Sequence, residues 1–443
     1  MLAAVPLLAV AVVDGAALLG RHSASRSMPS PAASTHHDRT SAADRQAAAA
    51  AGRAARAAAI RELLVRRATA VTAHDAAAWR STLDPEHPAF VRRQMQVFRN
   101  LRHVPFASWD YDFDADRVIR PSKRALRYGA QTYAPSSFTL EYRLRGFDRR
   151  ATSLPQYPTF VLRPTGWYLT SFDDFRGRGD RSSTDLWDYG PVLVVCTSKV
   201  LVLGHPASQG LLAGIAAEVA ADIPRVSAVW GHHWPERAVV LVPATQRELG
   251  RVVDDYGDLD NIAAVATAEV QTGSGKPDPV GNRIGINPAN WPKLSLLGRR
   301  IVLTHELTHV ATRATTSAAT PTWLAEGFAD YIGYLDSGLP TAFVAQDLGT
   351  AVRAGRAPRH LPTPDSFDGA NVRLSLAYEG AWMACRFIAQ QWGQAALVHL
   401  YAAVARSHLD PTTAVDLALR RVLHISRGQF TARWRGYVNS ELD

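Results

Sequence analysis

Apolar residues recur at every third and fourth position through residues 58–104. In "IRELLVRRATAV", Ile60, Leu63, Leu64 and Ala68 share one helical face. Asp75 stands where an N-cap for "AAAWRSTL" belongs, and "FVRRQMQVFRNL" repeats the helical spacing. From 108 to 173 the period changes to two. "SWDYDF", "SSFTLEYRLRGF", "YPTFVLRP" and "GWYLTSFD" read as strands parted by Pro, Gly and Asp turns. Helices followed by an antiparallel sheet predict an α+β domain over 58–175. "FRGRGDRSST", 175–184, breaks both periods and marks a domain boundary. A second domain, 185–443, then opens with a strand, a helix and several short apolar strands, the last being "NRIGINPANW". A long helix begins near Leu297, and the rest is mainly helical. The prediction is a mixed sheet followed by a helical region.

The N-terminus follows neither period. Residues 2–20, "LAAVPLLAVAVVDGAALLG", are mostly apolar, and their length fits a signal-peptide core or a short anchor. Segment 1–20 is therefore expected to place the chain at the cell membrane, with the second domain extracytoplasmic, or to direct its secretion. Lys and Arg do not precede this run, whereas Arg21 and Arg26 follow it; a basic leader further upstream would reconcile that order with export. Residues 21–57 are rich in Ser, Pro and Ala and offer almost nothing to a core. They read as a disordered tether that becomes helical in its alanine-rich second half.

Net charge is +9, which invites a nucleic-acid reading. Lysine, however, occurs only at 123, 199, 276 and 293, and the arginines are scattered without an aromatic-flanked basic block. A solvated basic surface is the better reading, with no nucleic-acid partner. Cys196 and Cys385 lie far apart and form neither a disulfide framework nor a cysteine metal site. They are one bridge or two buried thiols, the second being favoured. "GSGK", 273–276, lacks the earlier glycine of a phosphate loop and runs into Pro277, so it is not one.

The chemistry lies in "GRRIVLTHELTHVATR", 298–313. Nothing after Gly298 breaks a helix. Residues four apart share a helical face, so His305 and His309 point the same way. Two imidazoles one turn apart can reach one zinc ion at about 2 Å. Glu306 projects from the neighbouring edge, placed to meet a water rather than the metal. At this chain's His and Glu frequencies an H-E-x-x-H match arises by chance in about 1% of chains of this length. Uncharged residues at its inner positions and flanks strengthen it. Zinc needs a third ligand, and "TPTWLAEGFADYIGYL", 320–335, supplies a candidate. Thr320 and Pro321 suit a helix start, with Glu326 one turn in and Asp330 four further on the same face. A turn near 314–320 would fold this helix back antiparallel and bring Glu326 to the metal. Asp330 could then accept the free ring N–H of a ligand histidine.

H-E-x-x-H followed by W-L-x-E-G-x-A-x-Y resembles the gluzincin metallopeptidases, and most of all the compact bacterial peptidase MA-like domains. The likeness covers roughly 190–443 and is specific in 301–335. It implies a gluzincin-type zinc peptidase fold, zinc on His305, His309 and Glu326, and Glu306 as catalytic base. Thr312 and Thr315 stand where a metzincin needs Gly and His. The gap from His309 to Glu326 is shorter than in the large aminopeptidases, and their Gly-x-Met-Glu-Asn segment is absent, which points away from aminopeptidase specificity. By the same resemblance Tyr378, in "LSLAYEGAWMACRFIAQQWG", donates to a developing oxyanion, although packing beside Trp382 explains it as well. The strand at 283–287 is expected to line the cleft and pair with substrate backbone. The element order of 58–175 resembles the cone-shaped nuclear-transport-factor-like (NTF2-like) domains, and no clustered chemistry there suggests more than a spacer or recognition module.

The expectation is therefore an exported or membrane-tethered zinc metallopeptidase, an endopeptidase acting on peptide or protein substrates. The alternative is an inactive peptidase-fold scaffold of the cell envelope.

Overall fold

The computed structural model describes residues 36–119, 123, 125–129, 131–253, 259–271, 278–368 and 371–443. The expected signal or anchor segment, the first part of the tether and the "GSGK" stretch lie outside the described residues. Among the described residues no helix is long and apolar enough to cross a membrane. The chain divides into two compact units after Gly190.

The first unit opens with α1 (His36–Ala73), α2 (Ala76–Ser81) and α3 (Pro88–Asn100). The expected tether is helical from His36 onward, because alanine has the highest helix propensity. Ile60, Leu63, Leu64 and Ala68 are buried. Asp75 caps α2, its carboxylate accepting from the amides of Ala77 and Ala78. Six strands follow: β1 (Phe106–Phe113), β2 (Thr132–Tyr133), β3 (Phe138–Leu144), β4 (Thr152–Pro155), β5 (Thr159–Arg163) and β6 (Gly166–Ser171). They form two three-stranded antiparallel sheets, ordered β1-β3-β4 and β2-β5-β6. Along β3 buried and half-buried residues alternate, as the period of two predicts. The unit runs past the expected boundary at 175–184. Trp187 is buried and packs edge-on against Phe106 and Tyr142.

The second unit begins with β7 (Leu193–Cys196), β8 (Val200–Gly204), α4 (Gln209–Trp230), β9 (Ala238–Val242), α5 (Gln246–Val252), β10 (Ala264–Gln271) and β11 (Asp278–Ile286). Its sheet is mixed, ordered β10-β11-β9-β8-β7. Strands β8, β9 and β11 are parallel, and the outer strands run antiparallel to their neighbours. Val200 to Leu203 and Val240 are almost fully buried, as central strands covered on both faces must be. This overturns one expectation. Of residues 283–287, the first four belong to an interior strand, hydrogen-bonded on both sides over Ile284 and Gly285, and β10 carries the outer edge instead.

The helical region follows as α6 (Leu296–Thr312), α7 (Thr322–Tyr334), α8 (Thr341–Val344), α9 (Gln346–Arg353), α10 (Leu374–Trp392), α11 (Gln394–Ala405), α12 (Pro411–Val422) and α13 (Arg427–Leu442). Ser295 caps α6 through the Gly298 amide. Pro321, not Thr320, is the residue before α7. Two glycines set the depth of α7. A Cβ on Gly327 would lie 2.3 Å from the Ala381 carbonyl oxygen of α10, and one on Gly333 would lie 3.0 Å from the Ile301 carbonyl oxygen of α6. Bare backbone at these two points lets α7 lie directly against both neighbours. Both cysteines are free thiols: Cys385 is buried, but Cys196, near the end of an outer strand, is exposed and corrects the expected pair of buried thiols.

Candidate metal centre

Helix α6 is buried from Ile301 through Thr312, which explains why the motif's flanks carry no charge. His305 and His309 sit one turn apart, and α7 runs antiparallel to α6, so Glu326 meets both rings. The His305 and His309 Nε2 atoms are 2.9 Å apart, and Glu326 Oε2 lies 3.4 and 3.5 Å from them. These three atoms are the donors of the metal-capable cluster found among the described residues. The triangle they form has a circumscribed radius of about 1.9 Å, so a point at the zinc–ligand distance of about 2 Å lies close to its plane.

The surroundings fix the donors. Asp330 Oδ1 accepts from His305 Nδ1 at 2.7 Å. That bond holds a proton on Nδ1 and turns the Nε2 lone pair toward Glu326. Glu326 Oε2 and both oxygens of Glu306 are buried without a hydrogen-bond partner. A buried carboxylate with nothing to accept from is costly, and a divalent cation among these atoms removes that cost. Donor chemistry, spacing and orphaned oxygens therefore all fit zinc.

Charge within the cluster is sharply divided. Burial works against ionisation of Glu326, but the two imidazoles outweigh it and hold its carboxyl down to about 2. Burial lifts Glu306 up to about 8, opposed by His305 and reinforced by Glu326. Burial lowers His309. It also works against the His305 cation, yet the Asp330 carboxylate overcomes it and raises that ring well above its ordinary value. Two carboxylates twenty residues apart in sequence thus differ widely in proton affinity.

Tyr378 lies on α10 with its ring edge-on to Phe367, the centroids 5.0 Å apart. The structure brings forward a residue the spacing alone did not single out. Arg313, four after His309, is buried and donates from Nη2 to the Ala266 carbonyl oxygen of β10 at 3.0 Å. The motif's own period carries that position, one turn on along the same face. Tyr401 of α11 pairs its hydroxyl with Thr316 Oγ1 at 2.7 Å, and burial raises the phenol to about 12; no local signal links it to the motif. A notch of about 70 Å³ opens on His309 and Glu326, walled by Thr312, Thr316, Thr320 and Thr322.

No protein-family model matches the chain, and the search of curated proteins gives no match. Among solved structures, the chain is similar to a mutant of a two-domain M1 zinc metallopeptidase bound to L-arginine. That match has a TM-score of 0.33 and 15% identity, over 64% of this chain and 60% of the other. It is also similar to an M1 zinc metallopeptidase from Deinococcus radiodurans, with a TM-score of 0.33 and 16% identity over 62% of this chain and 58% of that one. The chain thus spans about three fifths of the length of these structures.

Proposed function

We propose that residues 191–443 form a zinc-dependent peptidase in which His305, His309 and Glu326 hold the metal and Glu306 is the general base. The observation that carries this reading is the convergence of two imidazole nitrogens and one orphaned carboxylate oxygen within 3.5 Å of one another. Zinc bound there would polarise a peptide carbonyl and acidify a water molecule. Glu306, adjacent in sequence to a ligand but outside the donor triangle, takes the proton of the attacking water and returns it to the leaving amine. Asp330 keeps the His305 ring in the ligating tautomer. The outer edge of β10, at Ala266 beside Arg313, is the backbone against which an extended peptide is aligned. Tyr378 as an oxyanion donor stays part of the proposal, supported by resemblance.

The finer reading is an endopeptidase, since the segment that grips a free amine in the large aminopeptidases is absent. We further infer export or membrane tethering from the apolar run at 2–20, a peptide or protein substrate, and no nucleic-acid partner. The first unit is read as an accessory NTF2-like domain.

The confined approach to the donors favours a second reading. The four acidic and imidazole side chains are at most 4% exposed, and the notch beside them is small. A peptidase-fold protein that binds without turnover would look the same. Metal analysis and hydrolysis of an unfolded protein, with and without chelator, separate the two. The peptidase reading expects about one zinc per chain and chelator-sensitive cleavage, both lost in His305→Ala and Glu326→Ala. Zinc without cleavage supports the scaffold, and zinc content unchanged in both variants refutes the ligand set.

A further inference from the structure

The first unit contains a cavity of about 310 Å³, at the lower end of the small-molecule range of about 300–1,000 Å³. Trp109, Trp187, Val97 and Leu140 give it apolar walls, and Arg67 and Tyr111 open into it. Arg67 projects from α1, only 2% exposed. Its guanidinium lies 3.3 Å from the Trp79 ring centroid. Its Nε donates to Tyr111 Oη at 3.0 Å, its Nη1 to Thr82 Oγ1 at 3.2 Å, and its Nη2 to Gln94 Oε1.

The donors and acceptors here do not balance. Three N–H groups of Arg67 are engaged, and a guanidinium has five. Among the described residues no carboxylate lies within ion-pair distance of it, although an arginine buried to this degree is normally paired. Tyr111 Oη accepts twice, from Arg67 Nε and from Trp109 Nε1 at 2.9 Å, and donates to no described residue. A fixed cation and a phenolic proton therefore face one space, with no carboxylate among the described residues hydrogen-bonded to either. At its rim Arg93 and Arg176 are both paired with Asp173. Asp188 also lines the space and is the carboxylate that Arg67 attracts electrostatically; burial raises it to about 7, so it is only partly ionised near neutral pH.

We propose that this cavity is a binding site for a small organic carboxylate with a flat or branched apolar body. The carboxylate takes the fork of Arg67 and the hydroxyl proton of Tyr111, and the apolar body lies between Trp109, Trp187 and Leu140. Planar two-point recognition of this kind is what distinguishes an arginine from a lysine. The site is independent of the metal centre and stands whether or not the second unit hydrolyses peptides.

The test uses the full chain with phenylacetate, indole-3-acetate and isovalerate, each beside its primary amide, and with phenethylamine. Calorimetry gives affinities, and tryptophan emission reports occupancy. At least one carboxylate is expected to bind about tenfold more tightly than its amide. Arg67→Lys, folded by circular dichroism, should erase that preference. Should Arg67→Lys fail to fold, Ser183→Trp carries the test. Ser183 lines the cavity, and a bulky side chain there should fill the space, abolish binding and leave the melting temperature unchanged. Equal binding of acids and amides, preference for the amine, or wild-type affinity in Ser183→Trp overturns the proposal.

Discussion

Two fully buried carboxylates, one in each unit, meet opposite fates. Asp84 accepts from Arg163 Nε at 3.0 Å, from Arg163 Nη2 at 2.8 Å, from Thr170 Oγ1 at 2.8 Å and from the Glu86 amide at 3.1 Å. Burial alone would raise its pKa, but these partners hold it below the usual range. Glu306 has no exposed surface either and lies deeper; it has no hydrogen bond of normal geometry, the Ala266 backbone and His305 only partly offset burial and Glu326, and it is lifted to about 8. The first carboxylate ties α2's end to β5 and β6 and has its lone pairs filled by the fold. The second is kept open by the fold. Burial does not by itself mark a functional acid; burial without partners, beside a cluster of donors, does.

The largest effect that would test this contrast is kinetic. Glu306→Gln is expected to lower hydrolysis by about a thousandfold, within the range of general-base removal, while zinc content stays the same. Its thermal stability should hold or rise, since an unpaired buried carboxyl is replaced by a neutral amide. Retained activity would remove Glu306 from the mechanism. Asp84→Ala should do the reverse: about 2 kcal/mol of stability lost in urea titration, because Thr170 loses its acceptor and Arg163 keeps only its ion pair with Glu86, with normal zinc binding per folded molecule. Gly327→Ala should cost about 2 kcal/mol by overpacking and weaken zinc retention against a chelator, because the backbone holding Glu326 must move. Unaltered zinc retention would show that Glu326 does not depend on the α7–α10 contact.

The smallest effect is in pH. Asp84 has a depressed folded pKa, so its contribution is fully present above its unfolded value of about 4 and is lost as pH falls through the folded value. Melting temperature should therefore drop on acidification below about pH 4, and Asp84→Asn should flatten that slope. An unchanged slope would mean that Asp84 keeps an ordinary pKa in the folded protein.

Much of the candidate centre is legible in the sequence because it is local. His305, Glu306 and His309 are placed by one helical turn, and Glu326 and Asp330 by another. Only the antiparallel return of α7 had to be supposed. What escaped reading is non-local. The order of β10 and β11 depends on pairing across more than 40 residues, from Ala238–Val242 to Ile284, so local periodicity does not show which of them is the edge. Trp187 extends the first unit to Gly190 through contacts with Phe106 and Tyr142, which a Gly/Arg/Ser-rich break at 175–184 hides. The cavity around Arg67 is invisible for the same reason. Arg67 sits in a helix beside Arg66, which is exposed, and only the sheet at Tyr111 and the helix at Gln94 distinguish them.

The glycines of α7 also bear on motion. Gly327 rests on the backbone of α10 and Gly333 on that of α6, so the helix can neither slide along its axis nor roll without driving main chain into main chain. Glu326 and Asp330 must travel with both neighbours or stay still. Of the notch walls beside the donors, Arg313, Thr316 and Thr320 belong to the connection at 313–321, outside the two packed helices.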